Sequence, residues 1–524
     1  VEYVVTTTPE ITDLAGNPLQ MLDSLEGDNS LDFTLPEYVV DDGGDDVRRG
    51  PFASTVYPGF PCASSTASQG EIDAGTQGVC VSSSPEADQV VIDQLPIVGL
   101  PANRPVKVRF SQNMDPSTLV LGDTVLVQAD DNGTWVDVEG ELTVETRGFT
   151  FTPNQPWDDT GDTLYRYVMA GNGGGTGCAG ICSADGLPLQ TAPLLGGGLK
   201  DGGPDMEILF RGETAVDTIF QELGNLPSAD VNNNFQIDSN EPVLTGDTID
   251  PANTPANATM IVPRGTGGEG LVAYANTGCG FDNVASGEPT QCDGDKIIYI
   301  TGLLNTEILD FDAENQGVPV VIYPTAVALT NLDATAVIGL RLTSDDETGG
   351  LLGIIPVVGD LLQGVVDGLL GATGIDNLIE AVGLDNIGLA PVPTATGPNI
   401  LRVRYEPEDP NDPNSPRTVP PVGLIVDTPD GLVFRIQFDL LFDAPALSLP
   451  LGLEHNVKSL PIDNVQLEGP LDFLPDGRLF IGLQNQEALD VDLEITLAGF
   501  DGGKVLLQIP LGGINLSYQS ASIQ

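Results

Sequence analysis

The sequence predicts a mainly β, multidomain protein made of antiparallel β-sandwiches with a short helical insertion. Short segments of alternating apolar and polar residues recur along the chain, and 63 glycines and 41 prolines supply turns between them. The chain has 524 residues, which is more than a single hydrophobic core usually organises. We therefore predict six segments, at residues 1–20, 21–94, 95–212, 213–345, 346–395 and 396–524.

The chain is strongly acidic. It has 19 basic and 76 acidic residues, one histidine and a formal net charge of −57. Nucleic acid is excluded as a partner, because neutralising phosphates requires clustered Lys and Arg. An anionic membrane surface is disfavoured for the same reason. Such a charge opposes compaction, so we expect surroundings that contain salt or divalent cations.

The six cysteines fall into three pairs that are close in sequence. The simplest pairing joins Cys62 with Cys80, Cys178 with Cys182, and Cys279 with Cys292. A zinc site is the alternative, but there is no CxxC pair, and His455 is distant in sequence. Disulfides imply an oxidising compartment. We therefore expect a secreted protein at the cell surface, whose numbering begins after a signal peptide or a processing cut.

The first twenty residues are typical of a β-strand that ends in an Asp-x-x-Gly-Asn turn. The same order of strand, turn and Pro-Leu-Gln recurs at residues 163–190, which indicates a weak internal repeat. Residues 21–94 show little periodicity and are predicted to be an irregular connection pinned by a disulfide. Within them, Asp41–Asp46 is either a solvated turn or a further cation site.

Short strands at regular spacing are predicted between residues 95 and 190. Their landmarks are Val106–Ser111, Met114–Ser117, Phe149–Pro153, Tyr165–Tyr167 and Asp185–Pro188. In these landmarks the region resembles the bacterial Ig-like domains of S-layer and other surface proteins. The resemblance implies a β-sandwich used as a spacer, adhesion unit or assembly unit, and it implies no activity. The cysteine-bearing insertion at residues 171–182 departs from the pattern.

In the light of this resemblance, residues 1–19 look like the last strand of another such domain. A strand without its sandwich must pair somewhere, because unpaired backbone groups are costly. An earlier domain is missing, or the strand pairs within its own chain, or it adds to the sheet of a neighbouring subunit. The residues of such an assembly strand would be Val1, Tyr3, Val5, Ile11 and Leu14.

Residues 230–241 have the spacing of a calcium loop. Oxygen ligands alternate along such a loop and end on its last residue. Here they would be Asp230, Asn232, Asn234, Gln236, Asp238 and Glu241. The segment resembles EF-hand and dockerin loops, although Phe235 replaces the usual glycine and Pro242 prevents an exiting helix. We predict calcium as the cofactor, and a metal-free Asx-rich turn is the alternative.

The later chain is predicted to mix helices and strands. Residues 213–224 are predicted to form a short amphipathic helix, followed by strands. Paired aliphatic residues that recur after Pro356 predict helices at 357–370 and 375–382, which are short for a membrane span. They are expected to pack on a neighbouring sheet, and the alternatives are membrane contact and a helical hairpin that docks on another subunit. Glu406–Asp412 is predicted to be a solvated or loosely cation-binding turn, and residues 422–518 a second sandwich.

No set of catalytic residues stands out. A Ser-His-Asp arrangement would require His455, and no Gly-x-Ser-x-Gly elbow is present. We therefore expect no enzyme, but a calcium-stabilised structural protein that assembles with copies of itself into an extracellular filament or layer by strand addition. The alternatives are an adhesin that binds a surface glycan or protein, and a secreted hydrolase.

Overall fold

A computed structural model gives the architecture of the chain. It describes residues 2–6, 30–34, 50–65, 67–83, 85, 90–173, 177–195, 202–226, 258–260, 274–277, 296–298, 300–329, 333–337, 339–340, 387–388, 392–395, 399–412, 415–445, 447, 453–475, 477–497 and 500–520. The chain divides into two compact units. The described residues of the first are an N-terminal strand pair, and those of the second run from residue 50 onward.

The N-terminal pair consists of β1 (Glu2–Thr6) and β2 (Ser30–Thr34), which run antiparallel with Tyr3 opposite Phe33. The strand expected to reach a neighbouring subunit therefore pairs within its own chain. Its partner is nearby in sequence, so closing the intervening loop costs little entropy. Of the other predicted assembly residues, Val5 lies opposite Leu31. Val1, Ile11 and Leu14 lie outside the described residues.

We call residues 50–213 the first region. Its strands are β3 (Ala53–Tyr57), β4 (Val98–Pro101), β5 (Val106–Phe110), β6 (Val125–Asp131), β7 (Thr134–Asp137), β8 (Gly140–Glu145), β9 (Gly148–Pro153), β10 (Leu164–Met169) and β11 (Met206–Glu213). They form two sheets, in the orders β3-β5-β9-β8 and β4-β11-β10-β6-β7. All neighbours are antiparallel except β4 and β11, which are parallel.

The two sheets share one core, so the first region is a sandwich. Strand β5 illustrates the pattern, because Val106, Val108 and Phe110 are buried while Lys107 and Arg109 between them are partly exposed. The core is rich in aromatic and β-branched residues. Its largest members include Phe110, Phe149, Phe151, Trp157, Tyr167 and Phe210.

Two short helices, α1 (Gln69–Asp73) and α2 (Val90–Asp93), precede the second strand of the first region. A capping box begins α1: the backbone N–H of Ser68 donates to the Glu71 carboxylate at 2.7 Å, and that of Glu71 donates to the Ser68 hydroxyl at 3.3 Å. Single 3₁₀ turns occur at Pro116–Thr118 and Pro193–Leu195. Within the described part of the chain, no helix has the length and apolar character needed to cross a membrane.

The first region contains two disulfides, Cys62–Cys80 and Cys178–Cys182, which are pairs that the sequence spacing favours. The Cys62–Cys80 bridge is buried and packs against Phe60 and Leu95. Cys279 and Cys292 lie outside the described residues.

The remaining strands follow in chain order. They are β12 (Ile219–Leu226), β13 (Ala258–Met260), β14 (Tyr274–Thr277), β15 (Lys296–Ile298), β16 (Ile300–Thr301), β17 (Leu303–Ile308), β18 (Gly317–Tyr323), β19 (Ala326–Leu329), β20 (Asp333–Val337), β21 (Gly339–Leu340), β22 (Ile387–Gly388), β23 (Val392–Ala395), β24 (Asn399–Val403), β25 (Glu406–Pro407), β26 (Arg417–Val419), β27 (Val422–Thr428), β28 (Gly431–Asp443), β29 (Leu453–His455), β30 (Leu460–Phe473), β31 (Leu479–Asn485), β32 (Leu489–Leu497), β33 (Phe500–Ile509) and β34 (Asn515–Ser520).

Eight of these strands form a closed, barrel-like ring in the order β28-β27-β18-β17-β12-β34-β31-β30, and β30 pairs with β28 again. We call this ring the closed sheet. Every neighbouring pair is antiparallel. Strands β24, β19 and β16 extend the sheet from the second half of β28.

A three-stranded sheet of β29, β32 and β33, the cover sheet, packs on the closed sheet. Its buried residues Leu489, Val491, Leu493 and Ile509 belong to the same hydrophobic core as the interior of the closed sheet. The other described strands form small sheets, which are β13-β15, β14-β20-β23, β21-β22 and β25-β26.

Two predictions for this half of the chain are wrong. The helix predicted at 213–224 is replaced by the end of β11 and by β12, because Ile219–Leu226 pairs with strands on both sides and this pairing overrides local helix periodicity. The second sandwich is replaced by the closed sheet, since β34 closes onto the distant strand β12. The helices predicted at 357–370 and 375–382 lie outside the described residues.

The first region packs on the outer face of β12, β17 and β18. The Asn305 amide donates to the Thr55 hydroxyl at 2.7 Å and to the Val56 carbonyl at 3.0 Å. Next to it, the Tyr57 ring lies 4.6 Å from that of Phe220 and 4.8 Å from that of Tyr323. One side of the closed sheet is therefore covered by protein.

Candidate functional site: an apolar cavity inside the closed sheet

Alternation along β28 separates the two faces of the closed sheet. Phe434 and Ile436 are buried at 2% and 7% exposure, while Arg435 and Gln437 are exposed. On the outer face, Arg435 pairs with Glu468 at 2.6 Å, and the Gln437 amide donates to Asn464 at 2.8 Å. Side chains alternate across a strand, so the apolar set of this strand lies inside the ring and the polar set outside.

The interior of the closed sheet contains a cavity of about 60 Å³. The side chains that line it are aliphatic or aromatic, and the Tyr518 hydroxyl is their one polar group. They are Ile300, Leu304, Ile322, Val327, Leu401, Val403, Phe434, Ile436, Phe438, Leu440, Val465, Leu467, Leu483, Ile514, Leu516 and Tyr518. Such a lining favours apolar ligands and disfavours charged ones, because a buried charge without a partner is costly.

A glycine on the neighbouring strand makes room for the Phe434 ring in the wall of the cavity. A Cβ atom on Gly423 would lie 2.4 Å from two atoms of that ring. Any side chain at position 423 would therefore displace Phe434. The position of Phe434 thus depends on a residue on β27 as well as on its own strand.

Buried charges hold the second half of β28 in place. The Arg402 guanidinium pairs with Asp93 of the first region, donates to Asp443 at 2.8 Å and donates to Ser459 at 2.9 Å. Although burial opposes its charge, the two carboxylates raise the pKa of Arg402 above its usual value. Removing one partner of such a buried pair costs about 3–5 kcal/mol. This network joins α2 to the strand ends near the cavity.

A second network lies where the first region meets β17. The Glu307 carboxylate accepts hydrogen bonds from Arg104 at 2.8 Å, from Tyr323 at 2.5 Å and from Thr218. Burial opposes its ionisation, but these donors outweigh burial and hold the pKa of Glu307 below its usual value. The outer face of β17 is therefore anchored while its inner face lines the cavity through Leu304.

The metal sites predicted from sequence are not part of this cavity. The calcium loop at Asp230–Glu241 and the Asp41–Asp46 turn lie outside the described residues. Among the described residues, no cluster of His, Cys, Asp and Glu could hold a metal ion, and in Glu406–Asp412 the Asp409 carboxylate accepts from the Asn411 backbone at 2.9 Å. Calcium stays a prediction, which a calcium titration of the purified chain would test.

The single histidine also lies away from the cavity wall. His455 is in β29 of the cover sheet, where its Nδ1 accepts a hydrogen bond from the Val457 backbone N–H at 3.1 Å. Burial, assisted by the positive charge of Lys458, lowers the pKa of His455 to about 4. An imidazole with this pKa is neutral at physiological pH.

The cavity is not among the sites that the sequence predicts. Its signal is present along β28, where Phe434, Ile436, Phe438 and Leu440 form an uninterrupted apolar face. That face also fits a sandwich. What distinguishes the two folds is the closure of the ring, and closure rests on pairing between strands that are far apart in sequence.

One curated protein resembles almost the whole chain. Alkane uptake protein B of Marinobacter nauticus is 28% identical over 555 aligned residues, which cover 98% of this chain and 45% of that protein. The chain thus spans less than half the length of this relative. No family model matches the chain, and no solved structure matches it.

The filament or layer subunit expected from the sequence is the wrong function. The relative that aligns with nearly the whole chain is named for alkane uptake, and the expected assembly strand pairs with β2. The adhesin alternative gains no support either. Acidic composition, disulfides and β-structure occur in many exported proteins and do not single out a structural role. Binding to other copies of the chain, or to a surface glycan or protein, stays a prediction.

Proposed function

We propose that the closed sheet binds an aliphatic hydrocarbon chain in its interior, as a binding step in alkane uptake at the cell envelope. The observation that carries this proposal is the cavity, whose wall offers one polar side-chain group among sixteen lining residues. An alkane cannot form hydrogen bonds, so an apolar enclosure is the only kind of site that recognises it. Each methylene buried there contributes about 0.8 kcal/mol.

The size of the cavity limits how a ligand enters it. Its volume of about 60 Å³ is smaller than the ~150 Å³ of an engineered apolar cavity that admits benzene. A long chain must therefore displace side chains of the wall. Phe434, Phe438 and the leucines can rotate about their χ angles without exposing polar groups, because their neighbours in the wall are apolar too.

The relative supports the substrate class. It is named for alkane uptake and aligns with 98% of this chain. The aligned part is 45% of that protein, and the proposal concerns binding alone. The disulfides Cys62–Cys80 and Cys178–Cys182 support an oxidising compartment outside the cytoplasm. We place the protein in the cell envelope or at the cell surface, with a binding role and no catalysis.

The proposal is tested with two adjacent residues on opposite faces of β28. Ile436 lines the cavity and Gln437 is exposed on the outer face. Radiolabelled n-hexadecane binding to the purified chain should weaken by at least about tenfold in Ile436→Trp, where the indole fills the cavity, and change by less than about twofold in Gln437→Trp.

Overpacking Ile436→Trp costs about 1–3 kcal/mol, so circular dichroism of both variants is the folding control. Equal hexadecane binding by both folded variants would place the ligand elsewhere. No saturable hexadecane binding by the unmodified chain would refute the proposed function.

We also propose that the first region is an Ig-like scaffold for the closed sheet. Its two packed sheets and its contacts with β12, β17 and β18 support this role. A crystal structure tests it, since an Ig-like domain would superpose on β3 to β11 strand by strand. If the strand order of the first region differed from that of Ig-like domains, the Ig-like assignment would fail and only the sandwich architecture would stand.

A further inference from the structure

Tyr518 is the polar exception in the wall of the cavity. It lies on β34 between Asn225 of β12 and Ile481 of β31, and it is 2% exposed. Its neighbours two positions away, Leu516 and Ser520, are buried on the same inner face. The phenol ring therefore forms part of the wall that a ligand would touch.

Within the part of the chain that the structure describes, the Tyr518 hydroxyl makes no hydrogen bond. Burial alone raises its pKa above the usual value. Two other tyrosines differ: the Tyr167 hydroxyl donates to the Pro58 carbonyl at 2.6 Å, and the Tyr323 hydroxyl donates to Glu307 at 2.5 Å. Buried hydroxyls usually have such partners.

The unpaired hydroxyl is costly to the fold. Leaving a buried polar group without a partner is strongly unfavourable, and phenylalanine would fill the same space in the wall without that cost. No other side chain lining the cavity can donate or accept a hydrogen bond. A molecule inside the cavity could supply the partner, and one oxygen atom suffices.

We propose that Tyr518 is a specificity residue that binds the terminal oxygen of a long-chain primary alcohol, so that the interior prefers singly oxygenated aliphatic chains to plain alkanes. This inference rests on the proposed function of the closed sheet. An alcohol group both donates and accepts, so it matches the hydroxyl of tyrosine in either direction. An ionised carboxylate is excluded, because no cationic side chain lines the cavity.

The test compares two ligands of equal chain length, 1-hexadecanol and n-hexadecane, on the unmodified chain and on Tyr518→Phe. The unmodified chain should bind the alcohol about tenfold more tightly than the alkane. Tyr518→Phe should abolish that preference by weakening alcohol binding about tenfold, while alkane binding changes by less than about twofold.

Tyr405→Phe is the matched control. Tyr405 is also a buried tyrosine whose pKa is raised by burial, but it does not line this cavity. Its substitution should leave both affinities unchanged. Thermal unfolding shows that each variant folds, and Tyr518→Phe should be at least as stable as the unmodified chain because it loses an unpaired polar group.

The possible results separate the two proposals. If the unmodified chain binds both ligands equally, or if Tyr518→Phe weakens both equally, the role of Tyr518 is overturned while the apolar site stands. If the unmodified chain binds neither ligand, both proposals fail. Tighter binding of hexadecanoic acid at neutral pH than of the alcohol would also overturn the inference.

Discussion

The first region and the closed sheet bury their apolar residues in different ways. In the first region, the Trp157 ring lies 5.1 Å from the rings of both Tyr165 and Phe210, and Tyr165 stacks on Phe210 at 5.3 Å. In the closed sheet, mostly aliphatic side chains surround a cavity of about 60 Å³. Protein interiors normally pack as densely as organic crystals. The aromatic core of the first region is thus packed ring against ring, whereas the aliphatic core of the closed sheet leaves a cavity, which is consistent with the proposed binding of a ligand there.

The largest difference should appear when a phenylalanine is removed from each core. Phe210→Ala should cost near the upper end of the ~3–5 kcal/mol typical of such changes, because ring pairs worth about 0.5–1.5 kcal/mol each are lost as well. Phe434→Ala should cost nearer the lower end, since part of the Phe434 ring already faces the cavity and has fewer contacts to lose.

Denaturant unfolding measures both substitutions if two signals are followed. The only tryptophans, Trp135 and Trp157, lie in the first region, so their fluorescence reports that region, while far-UV circular dichroism reports all strands. A cost for Phe434→Ala equal to or above that for Phe210→Ala would contradict the claim that the closed sheet is the more loosely packed core.

The sequence predicts the mainly β class and several strands of the first region for a local reason, but it misses β3, which lies in the segment predicted to be irregular. The predicted strands show a two-residue period, as in Val106, Val108 and Phe110 of β5, whereas β3 is buried at every position and has no such period. The same local rules wrongly predict a helix at 213–224, where Ile219–Leu226 is a strand because it pairs with β17 and β34. Closure of the ring is a property of these distant pairs, so no short window of sequence contains it.

Adding a methylene should destabilise the core of the first region more than the core of the closed sheet. Val125 is fully buried in the first region, and Val465 is 1% exposed and lines the cavity. Val125→Ile should destabilise the protein by about 1–3 kcal/mol through overpacking. Val465→Ile should be neutral or stabilise it by up to about 0.8 kcal/mol, the contribution of one buried methylene.

Both changes keep a β-branched residue on a strand, so strand preference cancels and packing alone is compared. The two unfolding signals described above measure them, with hexadecane affinity as a second readout. Val465→Ile should also weaken hexadecane binding, because it occupies volume that the ligand needs. Equal destabilisation by the two substitutions would mean that the cavity wall has no spare room.

The cavity is also harder to predict than the fold because it is defined by what its residues lack. A catalytic or metal site gathers distinctive residue types, whereas Ile436, Leu467 and Leu516 are indistinguishable in sequence from core residues. Tyr518 is the one chemical clue. Even so, its meaning depends on finding its hydroxyl without a partner in an apolar wall.

The smallest expected effect is a pH dependence of stability that arises from His455 in the cover sheet. Because burial lowers the pKa of His455 to about 4, the folded protein disfavours the protonated imidazole, whose pKa in an unfolded chain is about 6.5. The stability that this group contributes is therefore complete above about pH 6.5 and is lost as the pH falls toward 4.

His455 is the only histidine, so a single imidazole signal in an NMR titration gives the pKa directly. His455→Gln should remove both the signal and its share of the stability change between pH 7 and about 5. A measured pKa near 6.5 would mean that the cover sheet leaves His455 in water. It would contradict the close packing of the cover sheet on the closed sheet that the buried Val491 and Leu493 of β32 indicate.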